Sequence, residues 1–266
     1  MVIRLIKILL LRLIFMRTQT LILCIVTAIM TEVNAQDTAF MPMIFVEGGS
    51  FIMGSDNDES HGDEKPLHNV KLSSFYIGKY EVTVAQYRRY CTETHITMPE
   101  SPEKGWNDND PIANIDWNDA NKFALWMSER TGRTYRLPTE AQWEYAARGG
   151  QCSQGRIYAG SDSLDLVSWF NKNSDEQVHP IGQKWPNELG IYDMSGNVWE
   201  WARDWYSINY YSQSPDTDPE NQTRSKYRVL RGGSWDCSPQ FCRSVDRYII
   251  NPEFRDFRCG FRLVYQ

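Results

Sequence analysis

The sequence predicts a single α+β domain with little regular secondary structure. Short apolar stretches with strand-like alternation lie near both ends of the chain, and three segments with helix-capping signatures stand between them. The remainder, above all residues 151–223, is rich in Asn, Asp, Ser and Gly, lacks periodicity, and is threaded with tryptophans. No internal repeat and no linker divides the chain, so residues 36–266 read as one domain behind a separate leader, residues 1–35.

In chain order, MPMIFVEGGSFIMGS (41–55) reads as two short strands around a tight turn at Glu47-Gly48-Gly49. SDNDESHGDEKP (55–66) is a polar, turn-rich loop. HNVKLSSFYIGKYEVT (68–83) alternates as strand, with Val70 and Leu72 on one face. Thr83 and Gln86 are spaced as a capping box, which starts a helix running to about Thr92. In IDWNDANKFALWMSERTG, Asp116 caps a second helix whose buried stripe is Trp117, Ala120, Phe123, Ala124 and Met127, and Gly132 stops it. Thr139 and Gln142 open a third, ended by Gly149-Gly150. Residues 151–223 are expected to be ordered loops, pinned by Trp169, Phe170, Trp185, Trp199, Trp201 and Trp205. Strand returns in YRVLRGG and GFRLVY.

The bulk properties narrow the function. The 266-residue chain is long enough for a substantial core, and its formal net charge of -6 argues against a nucleic-acid partner. Its aromatic share of 13% suits a loop-rich fold held by aromatic clusters. At the N-terminus, basic residues precede the apolar run Leu21–Met30 and then Val33-Asn34-Ala35, the three parts of a cleaved secretory signal. Met16 is an alternative start for a complete signal, and an uncleaved membrane anchor is the other reading of the same segment. Cys24 is preceded by Leu inside the apolar run, which excludes a lipoprotein signal. Cleavage leaves a mature chain outside the cytoplasm, periplasmic or secreted, with no membrane span. It also leaves five cysteines, Cys91, Cys152, Cys237, Cys242 and Cys259, an odd number in an oxidising compartment.

Five ordered blocks carry a resemblance: VEGGSFIMGS, DEKPLHNVKLSSFYIGKYEVTVAQY, PIANIDWNDANKFALWMSERTGRTYRLPTEAQWEYAARGG, LGIYDMSGNVWEWARDWY and YRVLRGGSWD…GFRLV. Together they resemble the formylglycine-generating enzyme, or sulfatase-modifying factor, domain family across the whole mature chain. The resemblance implies that family's variant of the C-type lectin fold. It implies an oxidase in which two cysteines spaced C-x4-C after GGS and an aromatic residue bind copper(I). O2 is activated there, and a cysteine in a sulfatase signature becomes formylglycine. The matching residues here are Ser234, Trp235, Cys237 and Cys242, with Ser234 a candidate donor to a reduced oxygen species. The chemistry is sound, because two thiolates are soft ligands for a low-coordinate copper(I) that leaves room for a substrate sulfur. A basic neighbour such as Arg243 would lower the thiol pKa values.

The same spacing also suits a disulfide, since Ser238-Pro239 supplies a turn. The continuation CRSVDR is shorter than in the copper enzymes and looks like the broader, non-oxidase relatives, which favours a non-catalytic binding or assembly module. Cys259 is a possible disulfide partner for Cys242 or Cys152. In DMSGNVWEW the resemblance implies a calcium site formed by Asp193, Gly196, Val198 and Glu200, hard oxygen ligands around a glycine turn. The family's other calcium site begins at an Asn-bearing segment, and the stretch that corresponds to it here reads SWFNKNSDE. His61, His68, His95 and His179 show no ligand spacing, and His68 and His179 read as hydrogen-bonded structural groups. The Trp cluster at 199–205 reads as core, and Asn221-Gln222-Thr223 is a glycosylation sequon by pattern alone.

Overall fold

A computed structural model of the chain describes residues 40–57 and 60–266. The leader, residues 1–35, and the boundary at 36 lie outside the described residues. Residues Met41–Gln266 form one compact unit. Among the described residues no helix is long and apolar enough to cross a membrane.

Among the described residues the strands are short and sort into three sheets. β1 (Met43–Val46), β4 (Phe75–Gly78), β10 (Val264–Tyr265) and β5 (Tyr135–Arg136) form one, in the order β1-β4-β10-β5 and antiparallel throughout. Its register lines up Phe45, Tyr76, Tyr265 and Tyr135 across all four strands, with ring centroids 5.2, 4.6 and 5.1 Å apart. Such cross-strand aromatic pairs are what fix register in strands too short to rely on ladder hydrogen bonds. β2 (Gly49–Met53) and β3 (His68–Leu72) make a two-stranded ribbon, whose Val70 and Leu72 are buried together as their alternation predicts. β8 (Tyr248–Ile250), β7 (Arg228–Arg231), β6 (Trp199–Trp205) and β9 (Cys259–Gly260) form the third sheet, with β6 and β9 parallel.

All three expected helices form, and each begins with the expected cap. They are α1 (Val84–Thr94), α2 (Trp117–Thr131) and α3 (Glu140–Ala147). Thr83 with Gln86, Asp116 with Asp119, and Thr139 with Gln142 each close a reciprocal capping box. Gly132 ends α2 in the left-handed conformation at φ 69°. The α2 stripe is buried as expected except for half-buried Trp117, and Trp126 joins it. α3 is buried along its whole length, packed between the β2–β3 ribbon and the β6–β7 pair.

Two expectations need correction. β1 and β2 do not pair around Glu47-Gly48-Gly49, because each strand enters a different sheet. Gly48 is required there by space, since a Cβ would collide with Leu72 O and lie 2.7 Å from Ser74 N. Residues 151–223 are not loops throughout. They hold a four-residue helix, α4 (Leu164–Val167), and β6, the longest strand described. β6 is buried on both faces at Trp199–Ala202, so it carries no in–out alternation to read.

Candidate functional site

The loop after β7 carries the cysteine pair. Gly232 and Gly233 sit at φ 97° and 82°, a conformation that side-chain-bearing residues rarely adopt. Gly233 is also the wall of the site, because a Cβ there would lie 2.7 Å from Cys242 Sγ. The chain then turns, Cys237 N donating to Ser234 O at 3.0 Å, and a short 3-10 helix (Pro239–Cys242) brings Cys242 back. Cys242 is fully buried in an apolar cluster with Leu164, Val167 and Phe170, and half-buried Cys237 packs against the same cluster. The structure therefore brings the two thiols of the motif to one wall. All five cysteines among the described residues are unpaired, so neither the Cys237–Cys242 bridge nor one to Cys259 is present.

Ser234 is fully buried and donates its hydroxyl proton to Asp236 Oδ1 at 2.6 Å. Its oxygen lies 3.1 Å from Cys237 Sγ, so with that proton committed it is the acceptor in this contact. Asp236 is held by Arg258 at 3.1 Å, and Arg258 in turn forks onto Asp256. Arg243 does not act as expected. It turns away from the thiols and forks onto buried Glu64 at 2.7 and 3.0 Å. Burial instead pushes the Cys237 thiol up, and the Cys242 thiol well up, with the neighbouring Cys237 adding to the Cys242 effect. Two thiols on one apolar wall offer the soft sulfur donors that copper(I) takes, its binding displacing the thiol protons, so the residue types fit copper(I).

Beside this loop runs a groove of about 180 Å³ lined by Trp235, Phe257, Glu103, Asp110, Glu176 and Lys104. Its acidic side chains outnumber its one lysine, which bonds Gln177 across the mouth at 2.7 Å. Burial raises Asp110 to about 6.

The second candidate constellation is stitched to the first. Gly196 N donates to Gly232 O at 2.8 Å and Trp235 N donates to Asn197 O at 2.8 Å. Asp193, Gly196 and Asn197 all take positive φ, coiling the segment that ends in β6. Glu200 is fully buried; Arg262 forks onto both its oxygens at 2.7 Å and Trp143 Nε1 donates at 2.8 Å. Asp193 accepts from Gly182 N at 2.7 Å. Sequence reasoning missed the third carboxylate, Glu81, which is buried and held by Asn197 Nδ2 at 2.8 Å. Burial, then Asp193 and Glu200, push Glu81 well above the ordinary carboxylate range, and burial raises Asp193 to about 6. Three buried carboxylates thus face one guanidinium, Arg262. The donors are hard oxygens, the type calcium takes, and both Glu200 oxygens are at present held by Arg262.

The other expectations resolve simply. His179 Nε2 lies 2.7 Å from Ser174 O with its ring stacked on Trp169, and His68 Nδ1 lies 3.3 Å from Pro66 O, so both are structural. Trp199 and Trp201 are core. Asn221 is buried with Nδ2 donating to Trp205 O at 2.7 Å, so the sequon nitrogen is not presented to solvent.

Comparison with known proteins identifies the family. Residues 30–266 match the family model described as the sulfatase-modifying factor enzyme 1-like domain. The chain is 32% identical over 278 residues to the formylglycine-generating enzyme of Streptomyces coelicolor, covering 81% of this chain and 86% of that one. Among solved structures it is similar to PvdO from Pseudomonas aeruginosa, with a TM-score of 0.75 and 29% identity over 84% of this chain and 94% of that one. It is also similar to Treponema denticola variable protein 1, with a TM-score of 0.70 and 25% identity over 84% and 94%. Fold, ordered motifs and relatives agree, and the chain belongs to the sulfatase-modifying factor, or formylglycine-generating enzyme, family.

Proposed function

We propose that this protein is an exported oxidase that converts a cysteine of a sulfatase-type partner protein to formylglycine, using copper(I) held by Cys237 and Cys242. The observation that carries the reading is the pair of unpaired thiols on one apolar wall, on the same loop as Trp235, which lines the neighbouring groove. Bound copper(I) supplies thiolate binding and O2 activation. The protein's own groups do the rest. Gly233 keeps the space beside Cys242 Sγ clear, and the apolar cluster excludes water from the sulfurs. Ser234, oriented by Asp236, fixes the Cys237 thiol, and Trp235 and Phe257 line the approach for the substrate backbone. Calcium held by Asp193, Gly196, Val198 and Glu200, with Glu81 behind them, would brace the loop that supports Gly232.

A second reading is a non-catalytic binding module on the same scaffold. It is favoured by the complete burial of Cys242 behind Gly233, which places one of the two sulfurs out of reach of solvent. The two readings part on one experiment. Wild type, Cys237→Ser and Cys242→Ser are titrated with copper(I) and then aerated with a sulfatase-type cysteine peptide and a thiol reductant. The oxidase binds one copper(I) through both sulfurs and yields an aldehyde-bearing peptide, and each variant loses both properties while keeping its fold. Copper-loaded wild type that yields no aldehyde sinks the oxidase reading.

A further inference from the structure

We propose that His61, Glu64 and Asp246 form a binding site for a divalent transition-metal ion, with zinc the best match to the donors. The three side chains come from two distant segments, the short 3-10 turn at Gly62–Glu64 and the turn that follows Cys242. One ligand atom from each lies within 4.8 Å of the others. His61 Nδ1 stands 3.1 Å from Asp246 Oδ1 and 3.5 Å from Glu64 Oε1. Two ligands on a tetrahedral zinc, each about 2.05 Å from the ion, are about 3.3 Å apart. The spacing brackets that value.

Burial and charge point the same way. Glu64 and Asp246 side chains are 0% and 1% exposed, whereas His61 is 45% exposed, so an ion has an entry route through the histidine. Asp246 Oδ2 is buried without a hydrogen-bond partner, an arrangement that native interiors rarely leave. Arg243 contacts both carboxylates, at 2.7 Å to Glu64 and 3.3 Å to Asp246. Arg243 set against two carboxylates leaves a negative charge for a cation, and its fork, whose Nη2 reaches Glu64 Oε1 and Asp246 Oδ1 themselves, holds the two carboxylates in place beside His61. A nitrogen ligand beside two carboxylates selects zinc or manganese over calcium. Bound there, the ion would clamp the acidic segment before β3 onto the turn that seats Cys242. The site stands or falls separately from the thiol pair.

The test is a long-range nitrogen–proton correlation spectrum of the histidine rings in the full chain, titrated with zinc in saturating calcium and with the thiols reduced. Nδ1 of one histidine is expected to shift and to saturate at one equivalent, and that signal is absent in His61→Gln, which also binds one zinc fewer by elemental analysis. Asp246→Asn weakens the zinc affinity of this site by tenfold or more; should that variant fail to fold, exposed His61→Gln carries the test. Zinc that leaves the His61 ring unmoved at tenfold molar excess, or a full zinc complement in His61→Gln, overturns the proposal.

Discussion

Replacing Arg262 by Met tests whether the three-carboxylate cluster is held together by that one cation. Arg262 is fully buried, forks onto Glu200, and donates to Gly78 O at 3.0 Å and Tyr192 O at 2.9 Å. Arg262→Met keeps most of the side-chain volume but removes the charge and all four hydrogen bonds. Glu200 is then an unpaired buried carboxylate beside Glu81 and Asp193. Breaking a buried pair from one side costs about 3–5 kcal/mol. In a domain of this size each kcal/mol moves the melting midpoint by about 2–4 °C, so the expected drop is roughly 6–20 °C. The assay is thermal unfolding followed by near-ultraviolet circular dichroism, in chelator so that no cation substitutes for the guanidinium. Adding Glu200→Gln to Arg262→Met removes the orphaned charge and should recover more than half of the loss, a coupling that a double-mutant cycle reads directly. A single variant within 2 °C of the parent, or a double variant no more stable than the single one, refutes the reasoning.

Two further outcomes follow from buried carboxylates. Burial, with Glu140 adding, raises Asp204 from 3.8 to about 7 against the pull of two backbone N–H donors. The folded protein therefore holds a proton that the unfolded chain releases, and the stability this confers is full below pH 4 and is lost as pH rises to 7. At about 1.4 kcal/mol per pH unit across that window the loss approaches ~4 kcal/mol. Urea-denaturation profiles of the parent and Asp204→Asn should run together below pH 4 and part as pH rises to 7, with the parent falling relative to the variant, whose neutral amide does not titrate; parallel profiles would count against it. Calcium at 100 times its Kd should stabilise the fold by about 2.7 kcal/mol, or roughly 5–10 °C, through the Asp193–Glu200 segment. Glu200→Gln should erase most of that gain, and a melting temperature indifferent to chelator excludes calcium there.

What was legible in the sequence was what is settled locally. A capping box needs only four consecutive residues, so Thr83, Asp116 and Thr139 announce their helices whatever surrounds them. The spacing of Cys237 and Cys242 likewise forecasts their meeting, because a single turn suffices to bring them together. Their burial was not legible: it depends on Leu164, Val167 and Phe170, which belong to a different stretch of chain. β6 was hidden because a strand covered on both faces has no alternation. Glu81 and Arg262 look like ordinary surface charges in sequence. Only the contacts Glu81–Asn197 and Arg262–Glu200, made across most of the domain, turn them into the floor of the candidate calcium site. The same holds for Arg243, whose neighbour in sequence is a thiol but whose partner in space is Glu64.

The placement of β10 has a consequence for how the protein comes into being. Val264 and Tyr265 fill the interior position between β4 and β5, pairing Ile77 on one side and Arg136 on the other. During synthesis β1 and β4 emerge well before β10 and stand with one ladder unpaired until residues 264–265 have been made. Long-range pairing of this kind is slow, and an open strand edge is a template for the wrong neighbour. This sheet thus stays unfinished and adhesive until residue 265 arrives, an interval in which a holding chaperone would find an open strand edge to cover.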